Sequence, residues 1–551
     1  MQRTESRYAA TGQLYRSTIP YPAISADALT SIQEEIANAI ESRGFTLDEN
    51  DNTQLADAIS IGNEFATEIT TQAEFTALIE RTAANTYQFL DEVKSIVLNI
   101  ASVTLPLLGG DTWGILSTNY CRRVHSFGEC VIKIGDIPSS INVNTNDCRI
   151  TGVTIEGLQV ASAAHTTAFD INATDVILNN CGVRLLLSTN ENVNYIAFNL
   201  NANDAILYDC FVEDIEFTDN AASDFMCFSG TASTPKTQLH NCWIDDIVIA
   251  GDAIPVLFNG LYNIDQVSIS NFYPSTANDI YCFVDCNFIS DVDAKILTTG
   301  TIGVDNAANY VAFFNTCENI INAKTELDTT SDVLSNFTHY VDCNYITNAE
   351  LVAVKCRRNA YGFTGCNYII NASTQDWITP DTNVTGAYYG FYNSINLTNI
   401  LITNITAAKL VYGTRDCDYI TNIKIYDLQA TGGSAVYGLY SVEFLSNAYI
   451  EKLDSATNGA AMGGIYNGNY ISCCYITDID NSASAAALCV YNCDYVSCVF
   501  ANAVNSTAGS EYGFRNCNYV SSTVTTVADT GCDYVDDDDG GTANKYSCNG
   551  F

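Results

Sequence analysis

The sequence predicts a mainly β protein, a right-handed parallel β-helix (a solenoid of stacked coils) with a small α-helical N-terminal head. Three observations predict this fold. A short motif recurs about every 25 residues along most of the chain. One fixed position of the motif is always aliphatic. Proline is scarce, at 8 of 551 residues, whereas Asn, Thr, Ser, Tyr, Ile and Val are frequent, which is typical of strands joined by tight polar turns.

The motif contains an aromatic residue, two further residues, Cys, Asn or Asp, Tyr, and an aliphatic residue, as in YGFTGCNYI (Tyr361 to Ile369). We take the cysteine position as the anchor of each copy. The anchors are Cys286, Cys317, Cys343, Cys366, Ser394, Cys417, Val442, Gly468, Cys493, Cys517 and Cys532. The aliphatic residues three positions later are Ile289, Ile320, Ile346, Ile369, Leu397, Ile420, Leu445, Ile471, Val496, Val520 and Val535. A weaker series of anchors precedes these: Cys148, Cys181, Cys210, Cys242 and Leu261.

Two kinds of solenoid have a period near 25 residues, the parallel β-helix and the leucine-rich repeat. A leucine-rich repeat needs Leu at fixed strand positions and a helical return segment. The return segments here, such as Asp427 to Ser441 and Asp480 to Asn492, carry Gly and Ser clusters and lack an amphipathic stripe. We therefore predict a β-helix, in which each coil stacks ~4.8 Å above the one before and like residues form columns.

The 22 cysteines fall largely on this repeat. Side chains that project in parallel from neighbouring coils do not readily reach the torsion angle of a disulfide. Cysteine is also among the most buried residue types. We therefore expect reduced thiols that pack as small hydrophobic residues, and we leave open the pairs away from the anchors, Cys473 with Cys474 and Cys489 with Cys498.

Charge and hydropathy exclude several partners. With 63 acidic and 23 basic residues the formal charge is −40, which repels nucleic acid and anionic membranes. The N-terminus lacks the apolar region of a signal peptide, and the apolar run at residues 95–110 is short and interrupted by polar residues. We predict no signal peptide, no membrane insertion, no nucleic-acid partner and no cofactor.

Two helical regions are predicted before the repeat. Residues 26–42 carry Leu29, Ile32, Ile36 and Ile40 at helical spacing, and Gly44 follows. A long helix is predicted from about Glu64 to Ile100, where apolar residues recur every three or four positions. The expected domains are a head at 1–60, a helical neck at 61–110, the β-helix at 111–535 and a C-terminal cap at 536–551.

The head carries a resemblance to a known class of proteins. The stretch SIQEEIANAIESRGFTLDENDNTQLADAI (Ser31 to Ile59) resembles the N-terminal segment of bacteriophage tail fibre and tailspike proteins. The resemblance implies that residues 1–60 anchor the chain to other tail or baseplate proteins of a virion. It also implies an elongated homotrimer, assembled in the host cytoplasm, whose body contacts a host surface glycan or receptor.

Catalytic chemistry is not assigned to any residue. Glycan cleavage needs two carboxyl groups roughly 5 to 10 Å apart, and the candidates are Glu213 with Asp214, Asp245 with Asp246, and Asp285 with Asp342. Because acids are abundant, we expect these to be surface or turn residues. The four histidines, at 125, 165, 240 and 339, are scattered without partners and are expected to be structural. We expect the acidic run at 536–539 to be a solvated cap rather than a calcium site.

An aromatic column is the candidate binding surface. The residue two positions after the anchor is Phe or Tyr, except at Asn319 and Asn396. Because its aliphatic neighbour faces the core, the aromatic side chain should face outwards on a regular strand, whereas a bulge or corner would turn both inwards. An outward column could stack on sugar rings or form a subunit interface. Its members are Phe288, Tyr345, Tyr368, Tyr419, Phe444, Tyr470, Tyr495, Tyr519 and Tyr534.

These observations favour a structural tail fibre or tailspike protein that attaches a virion to its host. Two alternatives remain open. A polysaccharide depolymerase, either a glycosidase or a lyase, would need a groove with paired acids. A cellular adhesin or filament subunit would need no virion anchor. Fold alone does not distinguish these functions.

Overall fold

The computed structural model describes residues 66–83, 86–106, 114–133, 139–156, 159–160, 166–188, 195–202, 204–219, 224–230, 237–251, 254–274, 279–298, 310–329, 336–355, 358–378, 386–432, 435–455, 462–481, 486–502, 504–506, 511–515, 517 and 524–526. The predicted head at 1–60, the acidic run at 536–539, the cap at 536–551 and the column residues Tyr519 and Tyr534 lie outside the described residues.

The first part of the described chain contains short strands and one short helix. In chain order these are β1 (Ala66–Ile69), α1 (Gln72–Ala77), β2 (Ile79–Ala83), β3 (Thr86–Phe89), β4 (Ser95–Leu98), β5 (Ser102–Thr104), β6 (Gly114–Ser117), β7 (Arg123–Lys133), β8 (Ser139–Val143), β9 (Arg149–Glu156), β10 (Gln159–Val160), β11 (Thr166–Ile171), β12 (Ile177–Asn179), β13 (Gly182–Ser188), β14 (Tyr195–Leu200), β15 (Ile206–Tyr208), β16 (Phe211–Asp219), β17 (Asp224–Gly230), β18 (Gln238–His240) and β19 (Trp243–Gly251).

Longer strands follow as the coils become regular. They are β20 (Ile254–Asn259), β21 (Tyr262–Pro274), β22 (Ile280–Val284), β23 (Asn287–Thr298), β24 (Tyr310–Asn315), β25 (Glu318–Thr329), β26 (Asn336–Val341), β27 (Asn344–Lys355), β28 (Ala360–Thr364), β29 (Asn367–Ile378), β30 (Ala387–Tyr392), β31 (Ile395–Ala407), β32 (Leu410–Ala430), β33 (Val436–Ser455), β34 (Met462–Asn481), β35 (Ala487–Tyr491), β36 (Asp494–Asn502), β37 (Val504–Ser506), β38 (Glu511–Arg515) and β39 (Val524–Thr526).

Parallel pairing between successive coils confirms the predicted β-solenoid. For example, β25 pairs in parallel with β23 below it and with β27 above it. The predicted aliphatic column is also confirmed. Ile289, Ile320, Ile346, Ile369, Leu397, Ile420, Leu445, Ile471 and Val496 are paired neighbours in that order, and all are buried.

The corner after each anchor follows a period of three rather than the period of two of a regular strand. Cys343, Ile346 and Ala349 are buried. The residue before each of the first two, Asp342 and Tyr345, is exposed and has a positive φ, 49° and 57° respectively. A left-handed residue reverses the alternation of side chains, so every third side chain points inwards. The backbone thus bends around the core while keeping its hydrogen bonds to the next coil.

Aromatic rings fill the core of the solenoid as a continuous internal stack. Successive rings lie with their centroids 4.5 to 5.1 Å apart and nearly parallel, because equivalent positions stand one above another in neighbouring coils. The stack consists of Phe169, Phe198, Phe228, Phe258, Phe283, Phe314, Tyr340, Phe363 and Phe391.

A column of glycines accompanies the aromatic residue of the motif. A Cβ atom on Gly413 would lie 2.4 Å from the carbonyl oxygen of Gly438 and 2.7 Å from Cδ1 of Ile425. Only glycine therefore fits between this strand and the next coil, which explains the Tyr-Gly pair in many copies. The column consists of Gly362, Gly390, Gly413, Gly438 and Gly464.

The long helix predicted from Glu64 to Ile100 is wrong. In that region the described residues form β1 to β4 and the six-residue helix α1, which Thr71 caps. The apolar residues that suggest a helical stripe instead alternate along strands, as Tyr87 and Phe89 do in β3 and as Ile96 and Leu98 do in β4. Packing against the coil above outweighs the helical spacing of these residues.

The early anchor series is wrong in one respect, because it joins two different columns. Trp243 pairs with Ser268, so Cys242 stands level with Val267 and not with Leu261. The early coils have two buried corners that carry cysteine, and spacing alone does not distinguish them. The column that continues into Val267 contains Cys181, Cys210 and Cys242.

The aliphatic column predicts a local stability difference within one strand. We expect Ile420→Ala to lower the free energy of unfolding by about 2 to 5 kcal/mol, because it leaves a cavity between Leu397 and Leu445. The partly exposed neighbour Thr421→Ala should change it by less than about 0.5 kcal/mol. Urea unfolding followed by circular dichroism measures both values. Equal effects of the two substitutions would contradict the inward position of Ile420.

Candidate functional site

The aromatic column lies on the outside of the solenoid, as the outward alternative predicts. Its backbone is not that of a regular strand, since each described member has a φ between 54° and 58° and sits at a corner. The side chains are 38% to 53% exposed. We call the seven described members the corner ladder: Phe288, Tyr345, Tyr368, Tyr419, Phe444, Tyr470 and Tyr495.

Within the corner ladder the rings stack on one another. The ring centroids of Tyr419 and Phe444 are 4.8 Å apart, those of Phe444 and Tyr470 are 4.9 Å apart, and those of Tyr470 and Tyr495 are 4.8 Å apart. The ring planes differ by at most 9°. The faces of Phe444 and Tyr470 are therefore covered by neighbouring rings. This part of the ladder presents ring edges and hydroxyl groups to solvent.

Asparagine interrupts the corner ladder twice. Asn319 stands between Phe288 and Tyr345, and Asn396 stands between Tyr368 and Tyr419. Both asparagines have the same left-handed backbone as the aromatic residues, with φ of 55° and 58°. The side chain changes at these two coils while the backbone path stays the same.

An asparagine ladder runs beside the corner ladder, three residues further along each coil. In each step, Nδ2 of one side chain donates a hydrogen bond to Oδ1 of the residue one coil below, at 2.8 to 3.0 Å. Asparagine and aspartate tolerate the left-handed backbone of this column. Sequence reasoning missed this ladder, although Asn recurs five residues after the anchor. Its members are Asp291, Asn322, Asn348, Asn371, Asn399, Asn422 and Asn447.

A groove of about 490 Å³ lies at the N-terminal end of the corner ladder, against Phe288 and Asn319. Asp265 forms its polar wall. Its Oδ1 accepts a 2.7 Å hydrogen bond from Ser290 Oγ, and its Oδ2 lies 3.5 Å from Nδ1 of His240. The expectation that the histidines lack partners is therefore wrong for His240. The groove combines an aromatic ring with several hydrogen-bonding groups, which is typical of sites for polar ligands.

His339 also has partners, inside the core. Its Nδ1 lies 2.7 Å from Thr325 Oγ1, and its ring stacks on Phe313 with centroids 5.4 Å apart. Burial holds the pKa of this imidazole well below its usual value. This residue is structural, as expected.

The first two candidate acid pairs each include an exposed left-handed residue, in line with the expectation that they are surface or turn residues. Glu213 and Asp214 differ in backbone and exposure, since Asp214 is the exposed left-handed residue with a φ of 53°. Asp245 accepts hydrogen bonds from Ser270 Oγ at 2.8 Å and Asn271 Nδ2 at 2.9 Å. Asp246 is the exposed left-handed neighbour of Asp245.

The third predicted pair, Asp285 with Asp342, is separated by a residue of the same column. Thr316 stands on the intervening coil and donates a hydrogen bond from its hydroxyl to Asp285. All three residues have the left-handed backbone of the exposed corner, with φ between 49° and 53°. Asp285 and Asp342 are therefore turn residues, as expected from the sequence.

A different acidic cluster surrounds Arg184. Its Nη1 lies 3.0 Å from Oε1 of Glu129 and 3.9 Å from Oε1 of Glu213, and its Nε lies 4.0 Å from Oε2 of Glu156. Partial burial and the charge of Asp214 raise the pKa of Glu213, against the lowering effect of Arg184. Sequence reasoning missed this cluster because its members come from four coils.

The anchor cysteines in the described part of the chain are free, buried thiols, as predicted, and Cys532 lies outside it. From Cys286 to Cys493 each anchor cysteine donates to the carbonyl oxygen two residues earlier: Cys343 Sγ lies 3.1 Å from Val341 O, and Cys417 Sγ lies 3.3 Å from Arg415 O. Ser394, which replaces cysteine in one coil, makes the same bond to Tyr392 O at 3.0 Å. The position therefore takes small side chains, and a Cys or Ser there satisfies a carbonyl oxygen, whereas Val442 and Gly468 occupy the same column without a side-chain donor.

A second cluster of tyrosines lies on another part of the outer surface. The guanidinium of Arg415 lies 5.2 Å from the ring centroid of Tyr412, and its Nη1 donates a 3.2 Å hydrogen bond to the hydroxyl of Tyr389. Rings above and below continue the contact, with Tyr437 stacked on Tyr412 at 5.3 Å. The cluster is mostly buried against the coils, so it stabilises the solenoid surface.

Among the residues that the structure describes, no group of three or more His, Cys, Asp or Glu side chains is arranged to hold a metal ion. No helix in the described part of the chain is long and apolar enough to cross a membrane.

The chain matches no family model, no curated protein and no solved structure.

Thiol reactivity tests the position of the cysteines. We expect a thiol-specific reagent to modify Cys473 and Cys498, which are exposed, and to leave Cys343 and Cys417 unmodified in the folded protein. Burial raises the pKa of Cys417 and Cys121 to about 12, so neither forms a thiolate between pH 7 and 9. Peptide mapping by mass spectrometry identifies the modified residues.

The control is the same reaction in concentrated guanidinium chloride, where all of these cysteines should react. Rapid modification of Cys343 in the native protein would contradict a closed thiol column.

Proposed function

We propose that this chain is a fibre or spike of a virion tail, and that its corner ladder binds a glycan on the host surface. The observation that carries the proposal is a row of exposed aromatic side chains at fixed spacing on a solenoid. Aromatic side chains bind sugar rings through their apolar faces, while their hydroxyl groups provide hydrogen bonds. The asparagine ladder beside them adds amide groups that both donate and accept.

The solenoid is suited to a task that requires reach and stiffness. Every coil pairs its backbone with the next along the described chain, and the core holds a continuous aromatic stack. Such a rod holds binding groups in a fixed line without a loop that must become ordered. A preorganised surface avoids much of the entropy cost of binding.

The net charge of −40 favours a neutral or cationic partner over an anionic one. A neutral surface glycan fits this charge, whereas nucleic acid and an acidic membrane surface do not.

The virion part of the proposal is supported by the resemblance of Ser31 to Ile59 to tail fibre anchors. Residues 1–60 would attach the chain to other tail proteins, and three chains would associate as a homotrimer. A cellular adhesin with the same body would place these residues against neighbouring copies of itself. Immunoelectron microscopy with an antibody to residues 31–59 distinguishes a virion tail from a cell surface.

A second candidate function is glycan cleavage, which the cluster around Arg184 favours. Because one atom of Arg184 lies 3.0 Å from Glu129 and 3.9 Å from Glu213, the two carboxyl oxygens are at most about 7 Å apart, so they are no further apart than paired glycosidase carboxyl groups can be. The raised pKa of Glu213 suits a general acid. Release of shorter oligosaccharides by the wild-type protein, but not by Glu213→Gln, would support this function over attachment alone.

Glycan binding by the corner ladder is tested on an array of neutral bacterial surface oligosaccharides. The variant Tyr345→Asn with Tyr419→Asn should bind the strongest array ligand at least about ten-fold more weakly, since stacking contributes about 1 kcal/mol or more per ring. Asparagine occupies the same corner in other coils, so the backbone should be unaffected. Isothermal titration calorimetry gives the affinities.

The matched control is Tyr475→Ser, which removes an exposed tyrosine from a different column. Serine suits this column, because Ser373 occupies it in another coil. Its affinity should equal that of the wild type. Absence of any array binding by the wild-type protein would contradict the proposed function.

A further inference from the structure

The two interruptions of the corner ladder have the geometry of binding slots. We propose that each slot takes one neutral hexopyranose ring between two aromatic side chains, with Asn319 at the base of the first slot and Asn396 at the base of the second. The proposal deepens the glycan-binding function proposed above and rests on it. It assigns recognition to the gaps in the ladder and not to its continuous run.

The register places an aromatic ring directly above and below each asparagine. Asn287 pairs with Glu318 and Ile289 with Ile320, so Phe288 and Asn319 are level with each other. The same argument places Tyr345 above Asn319. In the second slot, the strand pairs on either side place Asn396 between Tyr368 and Tyr419. The two walls of each slot are therefore two coils apart.

The width of a slot matches the thickness of one inserted ring. Two coil spacings separate the walls by roughly 9.6 Å. A ring in van der Waals contact with both walls needs about 8 Å, from two carbon contacts of about 4 Å each. One sugar ring therefore fits, whereas a continuous stack at 4.8 Å, as between Tyr470 and Tyr495, leaves no room.

The asparagine amides are held aside, so they do not fill the slots. Nδ2 of Asn319 donates to Oδ1 of Asn287 at 2.8 Å, and Nδ2 of Asn396 donates to Oδ1 of Asn367 at 2.7 Å. Both bonds point to the coil below and towards the neighbouring column. The amide then lies at the base of the slot, where its carbonyl oxygen can accept a hydrogen bond from a sugar hydroxyl.

Exposure of the wall residues agrees with open ring faces. Of the four wall residues, Tyr345 and Tyr419 are both 53% exposed, and Phe288 and Tyr368 are 47% and 45% exposed. Phe444 and Tyr470, which lie between two rings, are 38% and 43% exposed. The 490 Å³ groove borders the first slot at Phe288 and Asn319 and extends from there to Asp265 and His240 in the coils below.

Apolar side chains rim the slots and are replaced by polar ones elsewhere along the ladder. Ile321 beside the first slot is 46% exposed, and Ile370 and Ile395 beside the second are 42% and 38% exposed. The same columns next to the continuous run hold polar residues, with Thr421, Ser446, Ser472 and Ser497 on one side and Asp418, Glu443, Asn469 and Asp494 on the other. Exposed isoleucines at both gaps indicate that an apolar surface is covered there when a ligand binds.

The ligand chemistry follows from these groups. Two aromatic faces and an apolar rim match the C–H faces of a pyranose ring, and the amide matches its hydroxyl groups. Glu318 precedes Asn319, and Asp418 precedes Tyr419 in the coil above Asn396, so an acidic sugar would be repelled from both slots. The slots therefore select neutral hexoses, and their separation along the rod favours a polymeric or multivalent glycan.

Filling the slots tests the proposal. The double variant Asn319→Tyr with Asn396→Tyr completes the ladder, and tyrosine already occupies this left-handed corner in neighbouring coils with φ of 55° to 57°. We expect binding of the strongest neutral array oligosaccharide to fall at least ten-fold by isothermal titration calorimetry. The melting temperature should stay equal or rise, because two new stacks form.

The matched control is Tyr470→Phe, which keeps the continuous run stacked, as Phe444 does one coil below, and should change the affinity by less than two-fold. The variant with filled slots could bind as well as the wild type while the variant Tyr345→Asn with Tyr419→Asn loses binding. That result would overturn the proposed slots but not glycan binding by the corner ladder. A change in oligomeric state without loss of glycan binding, seen by sedimentation, would also overturn the proposal, since a second copy would then occupy the slots. No glycan binding by the wild type would overturn both functions.

Discussion

Backbone hydrogen bonds between successive coils hold equivalent residues one above another, and every other feature depends on this register. The left-handed residue at every third corner position bends the chain around its core without breaking those bonds. Because columns then repeat at one coil spacing, a side chain that stacks once can stack many times. The buried aromatic stack, the thiol column, the corner ladder and the asparagine ladder are four results of this constraint.

The repeat made the body of the fold predictable. An aliphatic residue recurs at a fixed offset from each anchor, as Ile346 does after Cys343. Such residues can pack on one another in a column only if the coils stack in register, and the strand pairing confirms this register. The region before the repeat was not predictable in the same way. The spacing of apolar residues such as Phe75, Ile79 and Ile96 fits a helical stripe. Most of the segment forms strands because it pairs with the coil above, and the sequence gives no sign of that contact.

The site was predictable only in part, because sequence spacing identifies a column but not its conformation. The exposure of Tyr345 and Tyr419 agrees with the outward prediction, yet the left-handed backbone at both was not foreseen. Because rings one coil apart stack on each other, most faces of the described rings in the column are covered. A covered ring face cannot bind a sugar, whereas each ring beside a gap has a free face. Clusters assembled from several coils, such as the carboxylates around Arg184, carry no local signal in the sequence.

Distances between spin labels along the asparagine ladder test the register most directly. One label is placed on Cys473 and the second on Asn371→Cys, Asn322→Cys or Asp291→Cys. The other reactive thiols, including Cys498, are replaced by serine. The labelled chain is diluted with unlabelled chain, so that only distances within one chain are measured. These pairs are four, six and seven coils apart. Double electron–electron resonance should therefore give distances of ~19, ~29 and ~34 Å, a rise of ~4.8 Å per coil. Distances that do not increase with the number of intervening coils would contradict the stacked register.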